Sequence, residues 1–221
     1  MLAAKDGEID VSKQALEELA LAYWKPIYAF LRGKGKSHEE AQDGTQGFFE
    51  HLLRRDFLRD LQPEGGRFRS FLLVSLRHLL IDEHRKIANV QQRVEISLEP
   101  WHEMEAIDES IHKAGISPEE AFDRSWAEAL VERAMTLLQQ RWEKRAALFA
   151  ELRYTVESPE DVAKYADIAL HLGMTEGAVG KAAYDFRKQF GEQIRKEIRE
   201  TVTDEDDVEE ELLYLVTLLR S

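Results

Sequence analysis

The chain contains no cysteine. That excludes a disulfide framework, a thiolate metal site and a cysteine nucleophile. No apolar run approaches the roughly 20 residues that span a bilayer. The opening residues, Met1 to Glu8, carry no apolar signal-peptide core. A period-two strand pattern is also missing, and so is a Gly-rich phosphate loop, since Gly65-Gly66 alone reads as a turn. These absences lead to the expectation of an all-α, cytoplasmic protein with no membrane association. With 43% hydrophobic residues it has enough apolar surface for a sizeable core.

Positive charge is in short supply. Thirty Lys and Arg face 43 Asp and Glu, for a formal net charge of −13. That balance argues against broad nonspecific binding to nucleic acid. The charge is unevenly placed, however. Ten acids lie between Glu95 and Glu128, opposed only by Lys113 and Arg124, and the stretch from Asp204 to Glu211 is acidic except at Val208. Two segments run the other way. One spans Arg67 to Arg93 and the other Lys181 to Arg199, and both carry an excess of cations.

Helix signals recur along the whole length. Ser37-His38-Glu39-Glu40 and Ser117-Pro118-Glu119-Glu120 have the form of capping boxes, and Ser158-Pro159-Glu160-Asp161 is similar. The pattern predicts helices near 10–24, 26–33, 37–54, 67–88, 117–140, 142–155, 159–172, 175–200 and 204–220, with Pro26 kinking or restarting the first long segment. Residues 96–116 hold Pro100, Gly115 and many acids without sustained periodicity, so they read as a linker. The expected organisation is a helical domain over 10–95, a second over 117–202, and an acidic helical extension over 203–221 whose apolar face is Val208, Leu212, Leu215, Val216 and Leu219.

Three constellations carry chemical information. Glu39, Asp43, Gln46 and Glu50 recur at spacings of four, three and four, so they share one helix face, while Phe48, Phe49, Leu52 and Leu53 point into a core. Such an acidic stripe can dock against basic residues of another protein. In the helix from Gly66 to Ile87, Phe68, Phe71, Leu72, Ser75, Leu79 and Asp82 form the core stripe. Arg77, His78, Arg85 and Lys86 lie off it, where they can meet phosphates or base edges. Third, the apolar run Val162–Leu172 is followed by Gly173-Met174-Thr175-Glu176-Gly177-Ala178-Val179 and then by Lys181, Arg187 and Lys188. Gly173 suits a left-handed helix end, Thr175 suits a cap, and the second helix is then a candidate for the DNA major groove.

These motifs in this order resemble those of a bacterial extracytoplasmic-function sigma factor. The resemblance rests on E-E-A-Q-D-x-T-Q-x-F-F, G-R-F-R-S-F-L-L, L-R-H-L-L-I-D-E-H-R-K and L-G-M-T-E-G-A-V, and covers roughly residues 13–90 and 119–200. It implies a region-two-like bundle and a region-four-like helix-turn-helix domain. Core RNA polymerase would be bound through its β′ clamp helices by Glu39, Glu40, Asp43, Gln46 and Phe49. The minus-ten element would be met by Arg67, Arg69, Arg77, His78, Asp82, Arg85 and Lys86. The minus-thirty-five element would be met by Thr175, Glu176, Gly177, Lys181, Arg187 and Lys188, with the second domain on the β flap. The partners implied are polymerase and promoter DNA, with an anti-sigma factor or a Ser/Thr kinase as candidate regulators. Thr45 is the candidate phosphosite, read as lying on the polar stripe beside Asp43 and Gln46.

The chain departs from the family at His78, where Asn is usual, and at Gly180, Ala182 and Asp185, where cations are common. Fewer cations there imply weaker upstream-element binding. The acidic extension is read as a packing helix, or as a cover over the basic face of the second domain that competes with DNA. No catalytic residue, cofactor or metal is expected. A metal hydrolase built on His38, Glu39, Asp43, Glu50 and His51, or on Asp82, Glu83 and His84, lacks the H-E-x-x-H spacing. The nearer alternative is a helix-turn-helix regulator that acts without polymerase.

Overall fold

The structure, a computed structural model, describes residues 20, 22–54, 67–85, 115–156 and 162–220. The helix start expected at Ser158, the turn expected at Gly65-Gly66, residues 10–19 of the first expected helix and the expected linker up to 114 lie outside the described residues. Among the described residues the architecture is all-α. Eight helices run in order: α1 (22–33), α2 (His38–Arg54), α3 (Phe68–Arg85), α4 (Pro118–Arg141), α5 (Ala146–Leu152), α6 (Val162–Leu172), α7 (Glu176–Arg199) and α8 (Asp206–Arg220).

Local chemistry fixes several helix ends. In the box at α2, Glu40 N donates to Ser37 Oγ at 3.2 Å and Ser37 N donates to Glu40 Oε2 at 2.8 Å. The same two bonds start α4, between Ser117 and Glu120. Each box pairs amide groups that the first helical turn leaves without partners. Two expectations are corrected. The helix does not restart at Pro26: α1 runs through it without a break, and Pro26 is buried. The expected helix over 142–155 is broken: Trp142 caps α4, short 3₁₀ turns occupy Glu143–Arg145 and Arg153–Thr155, and only Ala146–Leu152 is α-helical. Trp142, Leu148, Phe149 and Leu152 on either side of the break are all buried.

The apolar side chains form two main cores. The larger holds Trp24, Ile27, Tyr28 and Phe30 of α1, Phe48, Phe49 and Leu52 of α2, and Leu72, Leu73 and Leu76 of α3. It also takes Phe122, Trp126 and Leu130 of α4, Ile194 and Ile198 of α7, and Val208 and Leu215 of α8. The smaller holds Leu138, Trp142, Leu148, Phe149, Leu152, Ile168, Val179 and Phe186. α4 and α7 therefore contribute to both cores. The larger core draws from both sides of residues 96–116. At the end of α8 the apolar stripe runs through Leu218, which packs on the core, rather than through Leu219, which is exposed.

A buried polar node locks this arrangement. Arg69, on α3, makes a two-pronged bond to Glu211 of α8 (Nε to Oε2 2.7 Å, Nη2 to Oε1 3.0 Å). Its Nη1 donates to Asp123 of α4 at 2.9 Å. The Tyr214 hydroxyl donates to the other Asp123 oxygen at 2.7 Å. The guanidinium also stands 4.4 Å from the centroid of the Tyr214 ring and 5.4 Å from that of Trp126. Burial raises the Asp123 carboxyl above its ordinary pKa, against the opposing pull of Tyr214 and Arg69. Burial, helped by the bond to Asp123, pushes the Tyr214 hydroxyl up to about 12. A second node joins α4 to α7, where Arg133 Nε donates to Glu197 at 2.6 Å and Gln193 Nε2 donates to the same carboxylate at 2.7 Å.

Removing one partner of a buried ion pair strands the other's charge. Arg69→Ala is therefore expected to lower unfolding free energy by about 3–5 kcal/mol, read from urea denaturation followed by circular dichroism. A loss under about 1 kcal/mol, the range of an exposed pair, would remove the node from its structural role.

Candidate functional site

The acidic stripe of α2 is present as a face. Glu39 and Asp43 are exposed, and Gln46 and Glu50 lie half-buried beside them, with Gln46 Nε2 donating to Glu50 Oε1 at 3.2 Å. Glu40 is exposed too, but its carboxylate serves the cap of its own helix, and the Ser37 backbone amide holds it below its usual pKa. Two residues expected on this surface are not on it. Phe49 is fully buried, its ring stacked on Trp24 with centroids 5.8 Å apart. Thr45 is 0% exposed, and its hydroxyl donates to the Ala41 carbonyl at 2.7 Å. Thr45 shares a side of α2 with Ala41, Phe48 and Leu52, at spacings of four, three and seven, so it faces the core rather than the stripe.

On α3 the expected nucleic-acid residues divide. Arg69 is taken up in the buried node. Arg67 pairs with α8: its Nη2 reaches Asp207 at 3.3 Å and also Glu210, and its Nη1 lies 3.2 Å from Glu211. Neither arginine stands free for phosphate. Arg77 is half-exposed and donates to Glu119 at 2.9 Å, while His78 and Val74 are exposed on the same outer face. Asp82 and Arg85 occupy helical positions whose side chains lie outside the described residues, as does Lys86 altogether.

The helix–turn–helix of α6 and α7 has the expected joints. Gly173 takes φ 64°, in the left-handed region, and Met174 N closes back on the Ala169 carbonyl at 2.8 Å. Thr175 caps α7 by accepting from Ala178 N at 3.3 Å. Glu176, Gly177 and Lys181 are exposed at the start of α7. Lys188 is exposed one stripe further on, 3.9 Å from Glu192. Arg187 is the exception. Its Nη1 donates to the Tyr165 hydroxyl at 2.7 Å, so it pins α6 to α7.

The sequence reading missed two features here. Tyr184 is 64% exposed between Lys181 and Lys188, at spacings of three and four, which places all three on one face. Lys144 and Arg145, on the turn after α4, flank a groove of about 670 Å³ whose other lining residues include Lys181, Asp185, Leu172 and Met174. The helix-spacing rule could have found Tyr184. Nothing local could have found the lysine–arginine pair, which reaches Lys181 only because the chain turns at Trp142.

α8 was expected either to pack or to cover the basic face of the second domain. It packs, and it covers the far end of α7. Arg195 Nε donates to Glu209 at 2.7 Å and Arg199 Nε to Glu205 at 2.8 Å. Those hydrogen bonds hold both carboxyl groups below their ordinary pKa. Lys181 and Lys188 make no ion pair with α8. Among the described residues no three His, Asp or Glu side chains are grouped to hold a metal ion, and His38 instead shares a 2.8 Å hydrogen bond with the Tyr28 hydroxyl.

A charge placed at position 45 would be buried without a counter-ion. Thr45→Glu is expected to destabilise the fold by roughly 3 kcal/mol or more, whereas Thr45→Ser, which keeps the hydroxyl, loses only about 1 kcal/mol for the methyl. Thermal melts of the two variants check this. Equal melting temperatures would place Thr45 at the surface. In comparisons with known proteins, no family model, no curated protein and no solved structure matches this chain.

Proposed function

We propose that this chain is a transcription initiation factor of the sigma type, which docks on core RNA polymerase through α2 and contacts promoter DNA through α3 and the α6–α7 pair. The observation that carries the reading is the capped helix–turn–helix with Lys181, Tyr184 and Lys188 on the exposed face of its second helix. Lysines position a helix on phosphates, and exposed polar or aromatic side chains between them meet base edges. The resemblance in motif order supports the polymerase half of the reading, and the exposed Glu39 and Asp43 supply the chemistry for a basic docking surface.

The residues that remain for each role are fewer than the sequence suggests. On α2 they are Glu39, Glu40, Asp43 and Gln46. On α3 they are Arg77 and His78, with the side chains of Asp82, Arg85 and Lys86 lying outside the described residues, and on α7 they are Glu176, Gly177, Lys181 and Lys188. Phe49, Arg69 and Arg187 act inside the fold, and Arg67 is paired with carboxylates of α8.

One rival would use less of the first half. A regulator that binds DNA through α6 and α7 alone would need neither the acidic stripe nor the outer face of α3. Run-off transcription with core polymerase separates the two. The wild-type chain is expected to support specific initiation. Glu39→Lys combined with Asp43→Lys is expected to weaken polymerase binding by roughly 100-fold, because like charges then meet across the interface. The same double variant should leave the melting temperature unchanged, both residues being exposed. A chain that binds duplex DNA but fails to bind polymerase would establish the regulator instead.

A further inference from the structure

Lys181, Lys188, Arg195 and Arg199 recur along α7 at spacings of seven, seven and four, which keeps them on one side of the helix. Eighteen residues of helix rise roughly 27 Å, more than twice the approximately 12 Å width of a DNA major groove. The line does not stop where α7 ends. Arg67 and Val202 form an isolated antiparallel bridge, and Phe68 N donates to the Thr201 carbonyl at 2.9 Å. The first residue of α3 thus sits against the turn that follows α7, and Arg67 extends the cationic line.

The two halves of this line differ in their company. Lys181 and Lys188 face solvent, with Glu192 of the same helix 3.9 Å from Lys188. Arg195, Arg199 and Arg67 each meet a carboxylate from the α8 segment: Glu209, Glu205 and Glu210 respectively. Those three carboxylates form an outer layer, 63%, 66% and 69% exposed. An inner layer behind them, Asp207 and Glu211, is held by Arg67 and Arg69 and is 22% and 1% exposed. The inner layer fastens α8. The outer layer stands in solvent along the cationic line.

We propose that Arg195, Arg199 and Arg67 form a second, masked binding track for the phosphate backbone of duplex DNA, continuous with Lys181 and Lys188, and that Glu205, Glu209 and Glu210 occupy it in the free chain as stand-ins for phosphate. The proposal rests on the reading of α7 as a DNA-contacting helix. It extends that reading to Arg195 and Arg199, which no earlier reading uses, and to Arg67, and makes the mask local, so α8 stays docked while single carboxylates yield to phosphates. Exposed pairs of this kind hold weakly and are screened by salt, as a replaceable mask requires.

The test is a double-mutant cycle on the full chain, with duplex DNA binding read by fluorescence anisotropy across a range of KCl concentrations. Glu205→Gln/Glu209→Gln is expected to tighten binding roughly tenfold near 0.1 M salt and to steepen the dependence of log K on log salt by about 1.8, two phosphates' worth. Arg195→Gln/Arg199→Gln alone is expected to change affinity by less than about twofold, since those arginines are already occupied. Added to the Gln/Gln background, the same arginine changes should abolish the gain. A general net-charge effect predicts additivity instead, with equal losses in both backgrounds, and that result overturns the proposal. So does a gain confined to single-stranded DNA. All four proteins should melt alike. If none binds duplex DNA while the wild type still binds polymerase, this inference fails and the docking reading survives; a clean cycle without polymerase binding has the opposite meaning.

Discussion

One guanidinium holds together helices that are remote in sequence. Arg69 sits on α3, Asp123 on α4, and Glu211 with Tyr214 on α8, and the four polar groups satisfy one another in a site walled by Trp126 and Tyr214. A buried cation needs such company, because its desolvation is repaid only by several well-placed acceptors. The consequence for the fold is directional. α8 carries Val208 and Leu215 into the larger core, but hydrophobic burial tolerates sliding along a groove. The two-pronged bond to Glu211 fixes the register, and the register places Glu205, Glu209 and Glu210 opposite their arginines.

The acidity of the chain takes on a different meaning in this light. A net charge of −13 would ordinarily keep a protein away from polyanions. Much of the excess near the C-terminus, however, is applied to specific cations. Asp207, Glu210 and Glu211 meet Arg67, Glu209 meets Arg195, and Glu205 meets Arg199. Local field, not total charge, decides what each helix face can bind. Around Lys181, Lys188, Lys144 and Arg145 the opposing carboxylates are sparse, and Asp185 is the acid among the groove-lining residues.

Patterns that depend on neighbours along the chain were legible in the sequence. The capping boxes at Ser37 and Ser117, the left-handed Gly173, the Thr175 cap and the acidic stripe at Glu39 and Asp43 all follow from spacings of three and four residues. What the sequence concealed depends on partners more than a hundred residues away, or on which side of a helix meets the core. Arg67 and Arg69 look like free cations until α8 is placed against them, 140 and 142 residues later. Thr45 and Gln46 are adjacent, yet 100° of helical rotation sends one into the core and leaves the other at the rim. Spacing assigns Phe49 to the core while the family resemblance assigns it to a docking surface, and burial against Trp24 decides for the core. Arg187 has the composition of a phosphate contact, and only the position of Tyr165 reveals it as a brace.

α4 and α7 each begin in one core and finish in the other. α4 enters the larger core at Phe122 and the smaller at Leu138, while α7 runs from Val179 in the smaller to Ile198 in the larger. Loss of either cluster would strip half of two long helices of their burial, and helices of that length hold little structure in water by themselves. The two shared rods thus couple the two cores, since melting either cluster withdraws burial from both long helices.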